Sequence, residues 1–82
     1  MVVEVFKTNV RHADHASMLV NEIHATFSDY TANFDLEDCD KILRVASRTA
    51  IIQVSAVVKL MENFGFNAEV LSDDIPELLP FQ

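Results

Sequence analysis

Apolar residues change period repeatedly between Val2 and Ser72, and few folds accept the order that results. Residues 2–8 (VVEVFKT) are β-branched and aromatic, as in a strand. Ala16, Leu19, Ile23 and Phe27 then recur every three or four residues, which is a helical stripe. Tyr30, Ala32, Phe34 and Leu36 alternate with Thr31, Asn33 and Asp35, giving a second strand with one buried face. The polar run Glu37-Asp38-Cys39-Asp40 reads as a hairpin turn, and residues 41–46 (KILRVA) as a third strand. A second helix is expected to start near Ser47 or Thr49, either of which could cap it. Its apolar stripe is Ile51, Val54, Val58 and Met61, flanked by Val57 and Phe64. Gly65 falls where a helix stops on a left-handed residue, and residues 67–72 (NAEVLS) supply a fourth strand.

Each helix joins two strands that it must cover. The order therefore predicts an α+β, ferredoxin-like βαββαβ sandwich, a four-stranded antiparallel sheet with two helices on one face. Residues 1–72 form this domain. Residues 73–82 form a tail in which Ile75, Leu78, Leu79 and Phe81 stand among acidic residues, with Pro76 and Pro80 limiting regular structure. The tail is expected to pack on the sheet face that the helices leave open, or on a second subunit.

Composition removes several classes of function. A chain of 82 residues has room for one thin core and no deep internal cavity. Its single glycine, Gly65, excludes glycine-rich phosphate loops. Its single cysteine, Cys39, excludes an intrachain disulfide and any multi-cysteine zinc knuckle, and makes the cytoplasm the simplest placement. A net charge of −7 argues against nucleic acid as a partner. No apolar run is long enough to span a bilayer, so no membrane partner is expected. No nucleophile–base order stands out, and a non-enzymatic protein is expected.

The predicted topology brings three loops to one end: residues 9–15, 35–41 and 64–67. His12, His15, Cys39, Asp40 and Phe66 gather there. His24 falls at the opposite end and is expected to be a solvated surface residue.

Two local patterns carry a family resemblance. The stretch Asn9-Val10-Arg11-His12-Ala13-Asp14-His15 occupies the junction between first strand and first helix, and Gly65-Phe66-Asn67-Ala68-Glu69-Val70-Leu71 closes the second helix. In this organisation residues 2–72 resemble the heavy-metal-associated domain of copper chaperones and metal pumps. That family carries G-M-x-C-x-x-C at the first junction, and a G-F-x-A-x-V/L pattern after the second helix. Here Val10 stands at the Met position, and His12 and His15 stand at the two Cys positions. The resemblance implies the fold and the place of a metal site. It does not imply Cu(I) transfer, because both thiols are missing.

Residues three apart on a helix face the same way, so His12 and His15 could share one ion. Imidazole suits Zn, Ni, Co and Cu(II). Two ligands make a weak site, and Cys39 and Asp40 are candidates to complete it. The positive end of the helix opposes a cation there. The competing reading is that both histidines are simply exposed. The expected function is thus a small soluble binding protein with weak metal affinity. The alternative is a domain that has kept the fold, binds no metal, and acts through a protein partner or as a homodimer.

Overall fold

The computed structural model describes residues 2–48 and 51–71. Its elements follow in the order β1 (Val2–Thr8), α1 (Ala13–Thr26), β2 (Tyr30–Asp35), β3 (Ile42–Ser47), α2 (Val54–Asn63) and β4 (Ala68–Leu71). The four strands form one antiparallel sheet with the spatial order β2-β3-β1-β4. This is an α+β architecture.

Strand alternation builds one half of the core. Phe6 sits opposite Leu43, and Leu43 sits opposite Phe34, so one row of inward side chains crosses the sheet. Leu19 and Ile23 from α1 and Val57, Leu60 and Met61 from α2 join the same buried cluster. Each such side chain contributes roughly 1.5–3 kcal/mol on leaving water. Between the inward positions, Val3, Lys7 and Arg44 remain exposed. Arg44 reaches Asp35 at 3.8 Å, but both side chains are too exposed for the pair to add much stability.

The second helix departs from the sequence expectation in its start and in the exposure of Ile51. It begins at Val54, with Gln53 at the cap and no side-chain capping bond. Ser47 cannot cap it, because β3 retains that residue in pairings with both Val2 and Tyr30, where it is 2% exposed. Thr49 lies outside the described residues. The helix start is held instead by the Gln53 N–H, which donates to the Tyr30 hydroxyl oxygen at 2.8 Å. The buried face is Val57, Leu60 and Met61, while Ile51 is 71% exposed. With the start at residue 54, Ile51 precedes the helix; Val54, Val57, Val58 and Met61 contribute to the core as expected, and Leu60 joins them.

The hairpin explains much of the acidic run. Asp35 Oδ1 accepts the Glu37 N–H at 3.2 Å, and Asp38 Oδ1 accepts the Asp40 N–H at 2.9 Å. These are side-chain turns of the kind that Asp forms readily. Lys41 takes a left-handed φ of 51°, so β3 begins one residue later than the apolar pattern suggests. The tail over residues 73–82 lies outside the described residues. Among the described residues, no helix is long and apolar enough to cross a membrane.

Candidate metal site

The end of β1 organises the site. Thr8 occupies the same inward parity as Phe6 and is 8% exposed. Its hydroxyl donates to the Lys41 carbonyl at 2.6 Å and accepts the Val10 N–H at 3.2 Å. Its backbone N–H donates to the Asp40 carbonyl at 3.1 Å. One residue thereby ties the β2–β3 hairpin to the β1–α1 loop. Val10 then buries its side chain completely, which anchors the loop just before the histidines.

The loop from α2 to β4 reaches the same place. Gly65 adopts a φ of 87°, where a residue with a Cβ is disfavoured. The Gly65 N–H bonds the Glu62 carbonyl at 2.9 Å and the Phe66 N–H bonds the Met61 carbonyl at 3.0 Å. These two bonds make a Schellman motif, which satisfies helix-end carbonyls and reverses the chain. The reversal lays Phe66 partly against the core and partly against His15, with ring centroids 5.4 Å apart. The Asn67 N–H donates to Asn9 Oδ1 at 2.9 Å and fixes this loop to the β1–α1 loop. The expected meeting of the three loops at one end is therefore present.

His12 is the cap residue of α1, yet its side chain makes no capping bond. His15 lies one turn on. Their ring centroids are 5.2 Å apart with the planes at 88°. Both residues are exposed, and neither ring has a hydrogen-bond partner among the described residues. Asp14, also exposed, is the acidic residue in the first turn of α1 and partly offsets the positive helix end.

Cys39 and Asp40 belong to a different group. Cys39 is an exposed free thiol. Among the described residues, the trio whose ligand atoms all lie within 4.8 Å of one another is Asp38, Cys39 and Asp40, and no such group includes His12 or His15. The hairpin is tethered through its backbone, which leaves these side chains clustered over their own turn. The four residues singled out by sequence thus fall into a histidine pair and a hairpin cluster.

His24 is exposed near the C-terminal end of α1, as expected, but its ring also has a backbone partner. Its Nε2 accepts the Ala32 N–H at 3.0 Å, so α1 occupies one outward-facing donor of the edge strand β2. A neutral ring with its proton on Nδ1 meets this requirement. Nothing in the helical period flags such a bond, because it depends on how α1 lies along β2. Thr8 was more legible, since a polar residue at an inward strand position needs partners.

The surface groove along α1 and β2, about 460 Å³, is lined by residues such as Ala16, Val20, Ala32 and Phe34, and by no titratable side chain. No family model, no curated protein and no solved structure matches this chain.

Proposed function

We propose that this chain is a small non-enzymatic binding protein of the ferredoxin-like type. It takes a divalent transition-metal ion at His12 and His15, the place where the heavy-metal-associated family it resembles carries its cysteines. The observation that carries this reading is the 5.2 Å separation of the two ring centroids. Zn–N bonds of about 2.0–2.1 Å in tetrahedral geometry put two ligating imidazole centroids roughly 5 Å apart. The spacing thus fits two ligands on one ion. Imidazole donors favour Zn, Ni, Co or Cu(II) over Cu(I). The absence of a thiolate and the positive helix end make the affinity weak.

An exposed free Cys39 fits a reducing compartment such as the cytoplasm. The second reading is an interaction module that binds no metal. It is supported by the exposed apolar side chains of Val3, Phe64 and Val70. Calorimetric titration with Zn, Ni, Co and Cu(II) separates the two. The metal reading expects binding that disappears in the His12→Ala/His15→Ala double variant. Equal binding by both proteins would eliminate the histidine site, and no binding by the wild type would leave the second reading.

A further inference from the structure

We propose that the outer face of the sheet is a docking surface for the chain's own residues 72–82, which lie outside the described residues. The segment crosses that face as a polyproline-II strand, with one apolar edge on Val3, Val5, Ala46 and Leu71. This is independent of the metal reading. The buried cluster takes inward residues from all four strands and from both helices, and among the described residues no outward strand residue belongs to it. The outward face is nonetheless apolar at its centre. Val3 and Val5 stand two apart on β1 and share it. Ala46 lies opposite Val3, and Leu71 lies opposite Val5. Val3 is 52% exposed and the other three are half-buried.

Charge is arranged around this patch. The central strands contribute Lys7 and Arg44, next to Val5 along β1 and across from it on β3. Lys7 has no ion-pair partner among the described residues. The acids of the same face, Asp35 and Glu69, stand on the edge strands β2 and β4.

The segment matches the patch in pattern and in charge. Ile75, Leu78 and Phe81 are spaced by three. A polyproline-II strand has three residues per turn, so these side chains share one edge. By the same count Asp74 and Glu77 share a second edge, which meets Lys7 and Arg44. Pro76 and Pro80 favour the φ of this conformation and offer no N–H to a ladder, so the segment packs through side chains and does not add a fifth strand. Reach is sufficient. From β4 to β3 is two strand spacings, roughly 10 Å. Ten residues at ~3.1 Å each extend about 30 Å. Ser72, Asp73 and Asp74 are residues that turn a chain readily.

A second copy fits this face less well. Sheet against sheet, it would bring the Lys7 and Arg44 of one copy toward those of the other. The short tether also gives the chain's own segment an effective concentration on the order of millimolar.

Paramagnetic broadening in the full chain tests this, with a nitroxide attached at Gln82→Cys in a Cys39→Ser background. The methyl signals of Val3, Val5 and Leu71 should be lost, and equally so after tenfold dilution. Those of Val20 and Val58 on the helices should keep most of their intensity. Adding Ile75→Asp/Leu78→Asp/Phe81→Asp should restore the lost signals. Broadening seen only when a nitroxide-bearing copy is mixed with an isotope-labelled copy without nitroxide would overturn the proposal in favour of exchange between copies. Broadening centred on the α1–β2 groove, spread evenly or absent would overturn it too, as would broadening that survives the triple substitution.

Discussion

The two ends of α1 use the same residue type for opposite purposes. At the N-terminal end, no described residue hydrogen-bonds the ring nitrogens of His12 and His15, and their rings stand 5.2 Å apart. Near the C-terminal end, His24 spends its lone pair on the Ala32 N–H of β2. The first arrangement contributes little to folding and leaves ligand capacity. The second closes a backbone donor on a sheet edge, a position that otherwise invites unwanted strand pairing. Exposure alone does not separate them, since all three histidines are exposed. What separates them is whether a partner reaches the ring.

This contrast can be broken by ranking variants on stability without metal and on zinc affinity. Leu19 lies between the two ends and is fully buried. Leu19→Ala should cost about 2–5 kcal/mol of unfolding free energy, read by urea denaturation. Gly65→Ala comes next, at about 1–2 kcal/mol, because the left-handed conformation penalises a Cβ. No atom lies within 4 Å of the added carbon, so this cost is conformational rather than steric. The same variant should weaken zinc binding by displacing Phe66 from His15, a second effect that Leu19→Ala lacks if measured on folded protein.

His24→Ala should cost about 0.5–1.5 kcal/mol, the worth of an ordinary hydrogen bond, and leave zinc affinity unchanged. The His12→Ala/His15→Ala pair should shift metal-free stability by less than about 0.5 kcal/mol, as exposed substitutions usually do. It should nonetheless remove zinc binding. A large loss of metal-free stability in the double variant would show that the N-terminal pair is structural, and the contrast between the two ends would collapse.

Much of this arrangement is readable from the residues because local signals agree with one another. The alternation of Tyr30, Ala32 and Phe34, and the stop at Gly65, each act over a few residues and need no tertiary information. The second helix was less legible. Ser47 and Thr49 are good caps in isolation, but the pairing of Ser47 with two strands removes it from that role. The true hold on the helix start is the Tyr30 hydroxyl, 23 residues away in sequence. At the site, the HxxH spacing announces the histidine pair, whereas the separation of Cys39 and Asp40 from it follows from hairpin geometry. Asp38 and Lys41 shape that turn through a side-chain bond and a left-handed backbone, and neither fixes a distance to α1 that a linear pattern could reveal.

The central claim is that His12 and His15, and not His24, hold a metal ion. Its most direct test is a zinc titration followed through the imidazole resonances of the three histidines in a ¹H–¹⁵N spectrum. The ring signals of His12 and His15 should move together while those of His24 stay in place. Ring signals that all remain unmoved, or a response in which His24 moves as far as the other two, would contradict it.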